Sequence, residues 1–177
     1  MCSTGANNLF FGAAAGRNST EGGNNIAIGL HAGTTGLTPS GLINLTNNTH
    51  TIVMGNCDHT VACIKIAWTT PSDIRYKCVW GNVFHGRDFL RNVNPIKYSF
   101  KNRETGEITD PRKRYGFSAQ EVLALEGDEP IIVNDTNPDS LGMNYESMIP
   151  ILVNAVKELD AENKSILARL EALENPV

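Results

Sequence analysis

The run IPILVNAVKELDAENKSILARLEAL, residues 149–173, sets Ile149, Leu152, Val156, Leu159, Asn163, Ile166, Leu170 and Leu173 at spacings that alternate three and four without a break. That is the period of a helix offering one narrow stripe to a partner helix. With Ile149, Val156, Asn163 and Leu170 at heptad position a, Leu152, Leu159, Ile166 and Leu173 fall at d. Arg169 then sits at g and Glu174 at the following e, a pair able to bridge chains. Asn163 is the one polar member, and a buried Asn at a fixes register at some cost in stability. Ser147 can cap the helix, and Pro150 falls in its first turn, where a missing N–H costs little. Ile151 and Val153 widen the apolar face near the start, so this end should also pack on the residues before it. An amphipathic helix packed only on its own domain is the competing reading of the pattern.

Upstream the composition changes twice. Residues 1–71 hold most of the sixteen glycines, many Asn and Thr, and almost no charge before Asp58. Residues 72–145 hold most of the charged and aromatic residues. The first zone repeats: Asn7-Asn8-Leu9-Phe10-Phe11-Gly12-Ala13-Ala14-Ala15-Gly16 aligns with Asn24-Asn25-Ile26-Ala27-Ile28-Gly29-Leu30-His31-Ala32-Gly33, and Asn47 to Gly55 is a degenerate third copy. Each copy reads as a short strand closed by glycine, where the backbone turns without a Cβ. One such strand cannot bury its apolar side; copies stacked in one chain, or three chains wound together, can. The pattern resembles the β-rolls and β-prisms of trimeric phage fibres and adhesin heads. Residues 1–66 are expected to form β-structure only as a trimer, because two clear repeats are few and polar. Val61 to Trp68 reads as a further strand.

In the middle zone, His85–Val93 has a helical pattern and Ile96–Phe100 a strand pattern, with a turn at Arg103–Glu107. Ser118-Ala119-Gln120-Glu121 is a capping box opening a helix to about Leu125. Pro130–Val133 is a short strand, and Asn137-Pro138-Asp139 a turn. Arg112-Lys113-Arg114 reads as a solvated hairpin face.

Several function classes are disfavoured. A formal charge of −4 argues against a nucleic-acid footprint. No apolar run approaches the ~18 residues of a membrane span. Cys2, Cys57, Cys63 and Cys78 lack metal or redox spacing and read as reduced thiols. His31, His50, His59 and His85 are scattered, so neither a metal nor another cofactor is expected. The opening Met1-Cys2-Ser3-Thr4-Gly5 leads straight into the repeat, so the chain reads as the C-terminal part of something longer.

The chemistry-bearing run is Thr69-Thr70-Pro71-Ser72-Asp73-Ile74-Arg75-Tyr76-Lys77. Alone, Ser72 with Asp73 is a turn cap and Lys77 a surface lysine. The run, however, resembles the S-D-x-R-x-K opening of the peptidase S74 family, the intramolecular chaperone of phage endosialidases, tailspikes and tail or neck fibres. Further matches follow in order: Leu90 with Val93 to Tyr98, Tyr115 to Val122, Met143-Asn144-Tyr145, Ile149 to Leu152, and Ala155 to Leu159. Cys78-Val79-Trp80 departs from the more common polar segment.

The resemblance implies α+β architecture in three parts: a trimeric Gly/Asn-rich β-fibre segment over 1–71, a small α+β chaperone domain over 72–145, and a trimeric coiled-coil helix over 146–177. It implies a Ser–Lys dyad, with Ser72 as nucleophile, Lys77 as general base and a single self-cleavage beside Pro71 and Ser72. Asp73 and Arg75 read equally as an ion pair, within or between chains, that positions the loop, or as direct participants in the chemistry. The partners are two further copies of the chain and its own upstream fibre. The fibre would end in a phage virion, and the chaperone would be released into the host cytoplasm. A serine hydroxyl needs a base, and a lysine serves only when burial disfavours its charge; Tyr76, Cys78, Val79 and Trp80 are expected to supply the apolar wall. A spacing of five brings two side chains together only across a bend, or from a neighbouring chain. The rival reading is an uncut, purely structural fibre tip that binds a host receptor.

Overall fold

The structure, a computed structural model, describes residues 5–34, 44–56, 58–59 and 61–174. It is α+β and forms two compact units: Met1–Ala67 with Tyr98–Arg114, and Trp68–Lys97 with Tyr115–Val177.

In the first unit the repeats pair strand to strand within one chain. Strands β1 (Leu9–Phe11), β2 (Ile26–Ile28) and β3 (Ile52–Met54) run parallel, with Leu9, Ile26 and Ile52 in register. Alternation turns Phe10, Ala27 and Val53 inward, where Ala32 and Leu45 complete a small core. Each strand ends on a glycine with positive φ: Gly12 at 130°, Gly29 at 117° and Gly55 at 83°. There the chain leaves the ladder through a conformation costly for an L side chain. The third turn registers through Gly55, so Thr51 stands where Asn8 and Asn25 stand in the first two.

Those asparagines join the turns. Asn8 Oδ1 accepts from the Asn25 N–H at 2.9 Å, and Asn25 Oδ1 accepts from the Thr51 N–H at 3.0 Å. Asn25 is fully buried, and its Nδ2 donates to the Asn48 carbonyl at 2.6 Å. Replacing it removes the partners of the half-buried Thr51 N–H and of the carbonyl of exposed Asn48. Asn25→Ala should therefore cost this unit about 1–3 kcal/mol, at ~0.5–1.5 kcal/mol for each lost hydrogen bond. A urea titration followed by circular dichroism measures it.

Val61 to Trp68 is not a strand. It is irregular and exposed, because no strand among the described residues pairs with it. Strands β4 (Ile96–Lys101) and β5 (Ile108–Gly116) form the expected hairpin. The turn is closed by Asn102, whose Oδ1 accepts from the N–H groups of Glu104 and Thr105. The basic run on β5 is organised rather than simply solvated. Arg112 donates to both oxygens of buried Asp110, and Arg114 Nη2 donates to Oδ2 at 2.6 Å. The Arg112 guanidinium, then that of Arg114, hold the Asp110 carboxyl far below the usual carboxylate range.

The second unit packs helix α1 (Arg87–Asn92), helix α2 (Ala119–Glu126) and the long helix α3 (Met148–Glu174) around Phe89, Val122, Ile132, Val133, Met148 and Ile151. Ser118 caps α2, its Oγ accepting from the Glu121 N–H. The expected strand at Pro130–Val133 is reduced to β6 (Val133–Asn134), antiparallel to β7 (Gly142–Met143). The cause is Glu126, whose carboxylate accepts from the N–H groups of Ile131, Ile132 and Val133 and so replaces ladder bonds. Ser147 ends a 3-10 turn that leads directly into α3. Among the expected cysteines, Cys63 and Cys78 are free and exposed, while Cys2 and Cys57 lie outside the described residues.

Candidate functional site

Asp73 builds the site. Its backbone is extended, and its side chain accepts from the Arg75 N–H at 2.9 Å, opening a single 3-10 turn over Ile74–Tyr76. The Lys77 N–H donates to the Ile74 carbonyl and closes it. The turn folds the two extended flanks toward each other, and Lys77 Nζ donates to Ser72 Oγ at 2.6 Å. The bend that a spacing of five requires is thus present within one chain.

Arg75 reinforces the turn. Its Nε donates to both Asp73 oxygens and its Nη2 to Oδ2 at 2.5 Å. The guanidinium, then the Arg75 N–H, hold the Asp73 carboxyl below its ordinary value. An aspartate so shifted keeps its partner above the usual carboxylate range and loses it only as pH falls through its own lowered value. Carboxyl NMR should therefore find Asp73 titrating below a free aspartate, and Arg75→Ala should return it upward. Arg75 is exposed, so added salt should weaken the effect.

The expected apolar wall around Lys77 is absent from the single chain. Ser72, Lys77 and Cys78 are exposed, Val79 is 66% exposed, Tyr76 87% and Trp80 95%. From Cys78 to Phe84 the chain is irregular, and no described element of the chain covers those side chains.

The later motif pieces meet in one place. Leu90, Val93, Phe117, Val122, Met143 and Ile151 all belong to the core of the second unit. That core fixes α3 by a stripe of Met148, Ile151 and Ala155; Val153, expected to share it, is exposed. The seam is a different stripe, centred about 70° around the helix. Its seven apolar members are 45–77% exposed, and Asn163 is exposed with them.

Three residues escaped the sequence reading. Asn154 Nδ2 donates to the carbonyls of Val83 at 2.7 Å and His85 at 3.1 Å. A Glu158 oxygen accepts from the Arg87 N–H at 2.8 Å, and Glu162 pairs with the Arg87 guanidinium. The signal available was their spacing of four, beside the buried stripe.

The family model described as chaperone of endosialidase matches residues 72–129, beginning at Ser72 and ending before α3. No curated protein and no solved structure matches the chain.

Proposed function

Starting from residues 72–129 as a peptidase S74, chaperone-of-endosialidase segment, we propose that the chain is an intramolecular chaperone which assembles as a trimer and then cuts itself once beside Ser72. The observation that carries this reading is the 2.6 Å contact between Ser72 Oγ and Lys77 Nζ at the start of that segment. Nucleophile and base already lie within hydrogen-bond reach of each other.

The chemistry balances within the chain. With Lys77 neutral, its amine takes the Ser72 hydroxyl proton while Oγ attacks the Pro71 carbonyl carbon. The C–O bond forms, the Pro71–Ser72 C–N bond breaks, and the proton passes to the departing Ser72 nitrogen. Water then hydrolyses the ester, restoring the Ser72 hydroxyl and leaving a Pro71 carboxylate. Attack is intramolecular because nucleophile and scissile bond are adjacent. Backbone donors near an oxyanion would speed both steps.

Assembly supplies what the single chain lacks. A neighbouring copy laid over Tyr76, Val79 and Trp80 excludes water from Lys77 and favours its neutral amine. The exposed seam of α3 brings that copy. Parallel helices hold the three upstream chains in register, removing much of the entropy cost of pairing them non-locally. After the cut, the upstream segment no longer carries the element through which it would reopen, and persists by a kinetic barrier.

Mass spectrometry of freshly made full-length protein, followed over time, tests the reading. Two pieces should accumulate, their masses summing to the chain plus one water, with the new ends beside Ser72. An intact chain in fully assembled protein would favour the uncut fibre-tip reading instead.

A further inference from the structure

Between Lys77 and α1 the chain has no regular structure, yet its far end is held firmly. The grip comes from α3 and uses one residue per turn: Asn154 on the carbonyls of Val83 and His85, Glu158 on the Arg87 N–H, Glu162 on the Arg87 guanidinium. Three of these four bonds go to the backbone, so they fix where the arm lies rather than which side chains it carries. Gly86 gives α1 no side-chain cap. Glu158 caps it instead, from 71 residues away, placing a carboxylate where the first N–H groups of a helix point. Gly86 is buried, and a Cβ there would fall on the Glu158 carboxylate. Glycine is what lets the two come so close.

The part of α3 that carries Glu158 and Glu162 has little packing of its own. Every residue from Val156 to Glu174 is exposed. A helix without tertiary packing is marginal in water, whereas one paired along a seam is not. We propose that Asn154, Glu158 and Glu162 are positioning residues that make the cut depend on assembly: seam pairing holds α3 helical, the formed helix fixes residues 83–87, and the fixed arm orients the Ser72–Lys77 turn. This inference rests on the reading that Ser72 cuts. None of the three residues touches a reacting atom, and none lies on the seam.

The test uses the full chain with Asn154→Leu, Glu158→Leu and Glu158→Gln, and with Gly86→Ala, which displaces the carboxylate from the other side. Three quantities are followed: assembly by sedimentation, cutting by mass spectrometry, and hydrogen exchange at the Arg87 amide. Glu158→Leu, Asn154→Leu and Gly86→Ala should assemble as the parent does but cut at least about tenfold more slowly, the scale expected when a reacting pair is misplaced by a fraction of an ångström. Glu158→Gln, which keeps an acceptor oxygen, should recover part of the rate. Arg87 exchange should speed up in the same rank order. Gly86→Ala should add nothing in the Glu158→Leu background, since both remove one interaction. Variants that assemble and cut at the parental rate would overturn the inference and leave the Ser72 reading standing. A parent that never cuts, yet gains Arg87 protection on assembly, would sink the Ser72 reading and keep the grip on the arm. Arg87 exchange indifferent to both assembly and substitution would overturn the inference outright.

Discussion

Ser72→Ala should leave the chain whole for as long as it can be followed, while assembling as the parent does. On the proposed reading the Ser72 hydroxyl attacks the Pro71 carbonyl, and its removal leaves only the slow uncatalysed hydrolysis of a peptide. Lys77→Ala should fail for the second reason, loss of the base, with a rate loss on the order of 10⁴-fold, as for other removed members of a catalytic unit. The double variant should be no worse than Ser72→Ala alone, because two residues acting as one unit do not add. Lys77→Arg separates the base from a mere cation. A guanidinium can donate to Ser72 as the ammonium does, but it does not give up its proton at any useful pH. It should therefore preserve the turn and abolish the cut. For the parent, the rate should be independent of protein concentration once assembly is complete. Mass spectrometry across this series decides the matter: Lys77→Arg cutting at the parental rate would mean that another group is the base.

What the sequence made legible follows from how local each signal is. The long helix, the Ser118 cap and the turn at Arg103–Glu107 depend on residues within a few positions of one another, and all three are present. The repeat strands were legible through the glycines that end them, because positive φ at Gly12, Gly29 and Gly55 is a backbone demand visible in composition. The third copy was aligned on its Asn-Asn pair, whereas the ladder aligns on Gly55; the intervening turn is longer, and repeat spacing alone does not reveal that. Val61–Trp68 has the composition of a strand, but a strand needs a partner, and composition does not supply one.

At the site the balance is similar. Ser72, Asp73, Arg75 and Lys77 were legible as residues, and the need for a bend was legible from their spacing. The bend itself was not, because it rests on one Asp73 side chain accepting from the N–H two residues on. The wall around Lys77 was expected from sequence neighbours alone. Apolar neighbours in sequence become a wall only when something packs on them, and within this chain they stay exposed. Asn154 and Glu158 were invisible for the opposite reason. On the helix they look like ordinary polar residues, and their partners lie about seventy positions away.

Leu159→Asp together with Ile166→Asp should convert the assembly to monomers without unfolding the second unit. Both residues are seam d positions and exposed in the single chain, at 46% and 45%. Burying an apolar side chain of this size contributes roughly 1.5–3 kcal/mol, and a carboxylate in its place meets like charges from every neighbouring copy. Across three chains this places six charges in the seam, which should weaken association by well over about a thousandfold. The unit's own core should persist because it grips α3 by Met148, Ile151 and Ala155, on another stripe. Asn163→Ile makes the converse change. Removing the one polar a residue should raise the melting temperature and loosen the choice of register or copy number. Sedimentation equilibrium at micromolar concentration reads both variants against the parent, and circular dichroism checks that the core remains. A monomeric parent would mean that the seam packs on nothing, and an unchanged melting temperature for Asn163→Ile that the Asn is solvated even in the assembly. If the double Asp variant is monomeric, it should also remain uncut, because a monomer has no neighbouring copy to cover Tyr76, Val79 and Trp80 and no paired helix to hold the arm. Its failure to cut, with Ser72 and Lys77 untouched, would tie the chemistry at residue 72 to helix pairing some ninety residues downstream.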